Sequence, residues 1–359
     1  MTRASPRGQA GPVRTATAPG RVTLIGDHTD YNQGLSLPMA IDLATEVSFT
    51  PRPGTFLVGF SSDQFLEPWE IALGGTGPVR PHAQLAAALV AQASPPSGGA
   101  VAVTSTVPVG AGLSSSAAFS VAVLLALGAA GDELEPRTDA LRLATLCQSA
   151  EEVAGSHVGL LDPLTILSAQ AGHALSIDFA TMDSRPVPIP ERAAFIVVHC
   201  GVSRQLSASA YATRRAECDR AANLIGRPLG LCSLGDLSVL TEPVLRRRAR
   251  HVITECGRVR EVVRLLGRSN LTGVGTVMKE SHRSLAEDFR ASIPALDELV
   301  DQLVGTPGVY GARMTGGGFG GCVIALCEPD SPALDPESHA PLRAWRVAPS
   351  AGAEVRSLL

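Results

Sequence analysis

Residues 107–118 read Val-Pro-Val-Gly-Ala-Gly-Leu-Ser-Ser-Ser-Ala-Ala, and the way this stretch is read decides the fold. A β-branched run of Val101, Val103, Thr104 and Thr106 leads in as a strand would. Pro108, Gly110 and Gly112 break that run. After Ser114, Ser115 and Ser116 the chain is largely apolar and uncharged to Ala130, helical by length and alanine content. A strand-to-helix turn of small residues leaves backbone N–H groups bare at a helix N-terminus, a ready site for phosphate. The alternative is an ordinary buried helix capped by one of its serines. No lysine follows the loop, Lys279 being the only one in the chain. That excludes a Walker A loop, which needs Gly-Lys-Ser/Thr. A nucleotide held here is held by backbone amides and hydroxyls.

The 359 residues leave room for two domains, or one large domain with a lobe. A hydrophobic content of 45% with only 4% aromatics predicts an aliphatic core. A net charge of −4 argues against nucleic acid as the main partner. The seven cysteines are scattered and lack metal-ligand spacing, so reduced thiols in a cytoplasm are expected. The apolar stretch 117–130 is too short to span a bilayer, and no membrane partner is expected. Residues 1–12 lack an apolar core and read as a disordered tail rather than a signal. A monomer is expected.

Along the chain, a strand over Val13–Ala18 is expected to turn at Pro19-Gly20 into the alternating Val22, Leu24 and Ile25. Strands follow within 43–73, turning at 51–54 and 61–64, and again at 173–179 and 195–199. Helices are predicted over 82–93, 115–130 and 138–154. Pro186, Pro188 and Pro190 form the most linker-like stretch, which divides the chain into 13–188 and 189–359. The second part reads as helices over 207–226, 243–267, 270–288 and 294–304, then a glycine loop and a strand over Cys322–Cys327. Residues 328–341 read as irregular, and 345–347 as a last strand.

Three further segments carry chemistry. Gly20-Arg-Val-Thr-Leu-Ile-Gly-Asp-His-Thr-Asp-Tyr-Asn32 sets an arginine, two carboxylates and an imidazole beside an apolar strand. Carboxylates and imidazoles in a loop are suited to reading sugar hydroxyls, because their oxygens and nitrogens accept from an O–H. Arg313-Met-Thr-Gly-Gly-Gly-Phe-Gly-Gly-Cys322 has five glycines in six positions, so a backbone or a ligand approaches closely there. Gly159-Leu-Leu-Asp162 ends in an acid that reads, by itself, as a turn former.

Taken in order, Pro19–Gly34, Pro108–Ala118 and Gly311–Cys322 resemble the three motifs of the GHMP kinase family, and within it the galactokinase branch. Tyr211–Cys218, Arg248–His251, Glu280–Leu285 and Pro349–Ala353 extend the resemblance over residues 13–355. It implies an α+β, two-lobed fold: an N-terminal mixed sheet with helices like that of ribosomal protein S5, a C-terminal ferredoxin-like lobe, and a site in the cleft between them. It also implies transfer of the γ-phosphoryl of ATP, with Mg²⁺, to the anomeric hydroxyl of a sugar, galactose being the first expectation. A kinase for another monosaccharide, or a non-catalytic regulator that binds sugar and ATP, are the competing expectations.

Position by position, the resemblance makes Arg21 and Asp162 the catalytic pair. Asp27, His28, Asp30, Gly159 and Tyr211 become the sugar-binding residues. Gly110, Gly112, Leu113, Ser114, Ser115 and Ser116, with Gly317 and Gly318, are assigned to ATP, and Ser115 and Glu151 to Mg²⁺. Two departures stand out. Asp27 replaces the family's Glu, and Pro163 follows Asp162, removing a backbone donor.

Overall fold

Two long strands organise the first half of the chain. The computed structural model describes residues 12–63, 65–73, 83–128, 136–155, 159–202 and 207–358. β1 (Val13–Ile25) and β2 (Leu35–Pro51) pair antiparallel, with β1's second half wholly buried. The turn expected at Pro19-Gly20 is a bulge instead, where the register with β2 shifts between Pro19 and Arg21. A Cβ on Gly20 would stand 2.8 Å from Leu113 O, so only glycine lets the phosphate loop lie so close. Arg21 N then donates to that same carbonyl at 3.1 Å. A single continuous strand thus delivers Arg21 to the loop.

The rest of the first sheet comes from β3 (Leu57–Ser62), β4 (Phe65–Ala72), β5 (Gly99–Ser105) and, from far along the chain, β12 (Glu354–Leu358), in the order β12-β1-β2-β5-β3-β4. Among the described residues only β3 and β5 run parallel, so the sheet is mixed as expected. β6 (His173–Asp178) pairs with β2 and with β7 (Asp183–Pro188). The supposed linker therefore contains an edge strand. Pro186 and Pro188 alternate along it, where an N–H would otherwise point away from the ladder.

The helices α1 (Gln84–Ala93), α2 (Ser115–Leu127), α3 (Ala140–Val153) and α4 (Leu161–Ser168) cover this sheet. Residues 82, 129 and 130 of the predicted helices lie outside the described residues. α2 is apolar nearly all round and buried at ten positions, as a central helix must be. α4 has no counterpart among the predicted elements.

A second, antiparallel sheet has the order β11-β8-β10-β9, built from β8 (Ala194–His199), β9 (Val309–Thr315), β10 (Cys322–Cys327) and β11 (Ala344–Val347). Around it lie α5 (Ser207–Ile225), α6 (Pro243–Leu266), α7 (Leu271–Ser284) and α8 (Pro294–Val304). β10 shows the period of two plainly. Cys322, Ile324 and Leu326 face the first core, whereas Val323, Ala325 and Cys327 face the second. Residues 328–341 hold only two short 3₁₀ turns. The last strand, β12 (Glu354–Leu358), crosses back to pair with Val13–Thr17 of β1. Among the described residues, no helix is long and apolar enough to cross a membrane.

Candidate active site

The phosphate loop is pinned from below. Ala111 O accepts from Cys322 Sγ at 3.0 Å, Gly112 O from Arg21 Nη1 at 2.9 Å, and Leu113 O from Arg21 N at 3.1 Å. Across a trans peptide the C=O and the next N–H point in opposite directions. Tying these carbonyls down therefore turns the N–H groups of Gly112, Leu113 and Ser114 the other way. Ser114 sits at φ 64°, and its Oγ donates to Asp162 Oδ2 at 2.5 Å rather than capping α2, which has no side-chain cap. The capped-helix alternative fails on that bond. The first-turn N–H groups of α2 remain open for an anion. Gly110 and Ser116 are exposed, Gly112 and Ser115 partly so.

Asp162 is the focus of three donors. Arg21 Nε reaches Oδ1 at 2.5 Å and Arg21 Nη2 reaches Oδ2 at 2.6 Å, a two-pronged contact joined by the Ser114 hydroxyl. The Arg21 side chain is 8% exposed and that of Asp162 28%, so the carboxylate keeps one open face while the guanidinium is locked beneath it. The structure explains Pro163 as well. Asp162 and Pro163 are the second and third residues of α4, where helical N–H groups have no intrahelical partner, so proline forfeits nothing.

Beside this pair, Ser116, Glu151, Gly159 and Asp162 line one small cleft. Burial raises the Glu151 carboxyl above its ordinary value, opposed by a hydrogen bond with Ser116 and reinforced by the charge of Asp162. The serine that meets Glu151 is therefore Ser116, one residue beyond Ser115. Among the described residues, no three His, Cys, Asp or Glu side chains gather as a metal cage. A hydroxyl and one or two carboxylates facing the phosphate loop nonetheless suit Mg²⁺, which takes most of its remaining ligands from phosphates and water.

The residues that the sequence assigns to a sugar gather around the loop after β1. His28 sits at φ 64°, its Nδ1 3.1 Å from Tyr31 Oη, with its ring 4.4 Å from Phe289 and 5.6 Å from Tyr211. Tyr31 and Tyr211 meet edge to face at 5.9 Å. A Cβ on Gly159 would strike Asp30 Oδ2, so a side chain where α4's approach meets the first loop would push the Asp30 carboxylate aside. Asp27, His28, Asp30, Gly159 and Tyr211 thus come together at one place.

Burial lifts the Asp30 carboxyl to about 6, reinforced by Asp162 and Asp27 and opposed by backbone hydrogen bonds. Because the folded value is raised, the native state holds a proton that the unfolded chain would release between about pH 4 and 6. This group's contribution to stability therefore falls as pH rises through that window. Asp30→Asn, which mimics the protonated acid, is expected to match the parent's melting temperature at pH 4. At pH 7 it should exceed the parent's stability by roughly 1–3 kcal/mol. Equal shifts at both pH values would remove Asp30 as the titrating group.

Asp27, assigned to the sugar from the sequence, is anchored by the third glycine segment. Its Oδ1 accepts from Gly316 N at 2.9 Å, and its Oδ2 lies 2.7 Å from Arg313 Nη2. That contact is close but poorly aligned, an ion pair rather than a hydrogen bond. Burial raises the Asp27 carboxyl and Arg313 opposes the rise. Arg313, fully buried, also donates to Thr23 O and Leu24 O at 3.2 Å each. Glu255 accepts from Gly26 N at 3.0 Å, Ser281 Oγ at 2.6 Å and Arg258 Nε at 2.7 Å. Burial alone would raise it, but Arg258, His251 and Arg313 outweigh burial and bring it to about 2. Burial lowers His251 to about 4, keeping it neutral between Ser284 Oγ and the Asp27 carbonyl.

Arg313, Glu255 and His251 received no role from the sequence. His251 and Arg313 did stand in segments that carry the resemblance, Arg248–His251 and Gly311–Cys322, whereas Glu255 stood in none. The close neighbours of Gly317 and Gly318, assigned to ATP from the sequence, are protein groups. A Cβ on Gly317 would stand 3.3 Å from the Tyr211 ring, and one on Gly318 would strike Ala291 O. The contact to the phosphate loop is made instead by Cys322, at the far end of the same segment.

Comparison with known proteins agrees with this geometry. Residues 7–51 match the galactokinase galactose-binding signature, residues 82–170 the GHMP kinase N-terminal domain, and residues 262–335 the GHMP kinase C-terminal model. The chain is 39% identical over 336 residues to the galactokinase of Homo sapiens, covering 89% of this chain and 85% of the relative. It is 42% identical over 329 residues to that of Mycobacterium tuberculosis, covering 87% and 88%. The crystal structure of Lactococcus lactis galactokinase complexed with galactose superposes with a TM-score of 0.85 at 25% identity, covering 95% of each chain. The two-sheet α+β architecture is therefore the GHMP kinase fold, and the chain belongs to the galactokinase family.

Proposed function

We propose that this protein transfers the γ-phosphoryl group of ATP to the anomeric hydroxyl of D-galactose, yielding galactose 1-phosphate and ADP. The observation that carries the proposal is the convergence of Arg21, Ser114 and the phosphate loop on Asp162, within reach of the Asp30–Tyr211 cluster. The names of the similar proteins supply the sugar.

In this reading the Asp30, His28 and Tyr211 cluster orients the sugar, with Asp27 at its base. Asp162 accepts the proton of the C1 hydroxyl, or holds that hydroxyl in line, as its oxygen attacks the γ-phosphorus and the bond to the β-phosphate oxygen breaks. Such a transfer passes through a loose, metaphosphate-like state that needs positioning and charge neutralisation more than a strong base. Arg21, held against Asp162, supplies positive charge beside the transferring group, and the open N–H groups of α2 supply more. Ser116 and Glu151 would hold Mg²⁺, which neutralises charge on the phosphates. The seven cysteines form no disulfide with one another, which fits a reducing cytoplasm.

The test is ADP release coupled to a spectrophotometric readout, with galactose, glucose and other monosaccharides at equal concentration. Turnover with galactose and not with glucose is the expected result. Turnover of another sugar in preference to galactose would reassign the substrate, and sugar binding without turnover would make the protein a regulator.

A further inference from the structure

Two of the three pinned carbonyls of the phosphate loop are held by Arg21, from the first sheet. The third, Ala111 O, is held from the other sheet, by the thiol of Cys322. Cys322 is fully buried and opens β10 on the face turned toward the first core. Its position is fixed on both sides, by pairing with Thr315 of β9 and with His199 of β8. The preceding residue is clamped too, since Gly321 O accepts from Cys200 N and Gly321 N donates to Val202 O. The donor thus stands at the start of an interior strand, paired on both sides. Holding the Ala111 carbonyl down sets the Gly112 N–H upward.

We propose that Cys322 is a positioning residue for the nucleotide, whose thiol orients the Ala111–Gly112 peptide so that the Gly112 N–H meets the ATP phosphates. This rests on the ATP-dependent function proposed above and adds a residue to its nucleotide side alone. The sugar-side contacts of the same glycine segment lie at its opposite end, through Gly316 to Asp27 and Gly317 to Tyr211. Volume and hydrogen bonding at position 322 can be separated by substitution. Cys322→Ser keeps a donor, and Cys322→Val keeps the bulk without one.

Steady-state kinetics of the full chain, varying both substrates, distinguishes these roles. Cys322→Val is expected to raise KM for ATP three- to tenfold, about 0.6–1.4 kcal/mol, while KM for galactose stays within twofold. Cys322→Ser is expected to stay within twofold of the parent for both. The proposal is overturned if Val performs as well as Ser, which would leave the thiol a space-filling role. It is equally overturned if the two KM values rise together. Absence of galactose turnover in the parent protein would be a failure of the proposed function instead. Calorimetric binding of the non-hydrolysable analogue AMP-PNP to the same variants then tests Cys322 by the same rank order.

Discussion

Asp162→Ala is expected to lower kcat by at least about 10³-fold while AMP-PNP still binds within a few-fold of the parent affinity. The size of the effect follows from what the carboxylate holds. Loss of a group that accepts a proton in the transition state costs about 10²–10⁴ in rate. Here the same substitution also strips Arg21 of its partner and frees the Ser114 hydroxyl. Removing one member of a buried ion pair destabilises a fold by several kcal/mol, so Asp162→Asn is the companion variant that keeps the volume. Near-parent kcat in either folded variant would take Asp162 out of the reaction. A loss of nucleotide binding equal to the loss of kcat would instead make Asp162 a support for the loop.

Arg21→Lys is expected to lower kcat by about 10²–10³-fold and to raise KM for ATP as well. A single electrostatic donor aimed at a transition state is worth that much. Lysine keeps the charge but not the planar fork, so it cannot contact both Asp162 oxygens and the Gly112 carbonyl together. The double effect is the signature of a residue that serves the acid and the phosphate loop at once. A kcat within threefold of the parent would show that charge alone suffices at position 21. Kinetics with galactose and ATP varied independently reads both parts.

Much of this was legible in the sequence because it was written in short local patterns. The strand-to-helix turn at 107–118, the polar loop after Ile25 and the glycine segment 316–321 each declare themselves within a dozen residues. What escaped notice depended on distant partners. α4 is only eight residues long and opens on Leu-Asp-Pro, which reads as a turn until the rest of the helix is packed. The bulge at Gly20 lies where Leu113 O, distant in sequence, approaches the strand. β9 and β12 were missed for a similar reason, since strand pairing rather than propensity defines them. Ser115 and Ser116 are indistinguishable as letters. Only the phase of α2 brings the second of them to Glu151. The same holds for Asp27, whose shorter side chain looked like a departure in sugar reading and proves to be the counter-ion of a buried arginine in the third motif.

β12 has a consequence for how the protein is made. Its five residues complete one edge of the first sheet by pairing with Val13–Thr17, the opening strand. During synthesis β1 precedes β12 by more than three hundred residues, so the outer edge of β1 waits for that segment to follow. An uncovered strand edge invites pairing with other chains, and contacts between such distant segments form slowly. Until β12 arrives, the flank of the strand that carries Arg21 is thus open to misassociation.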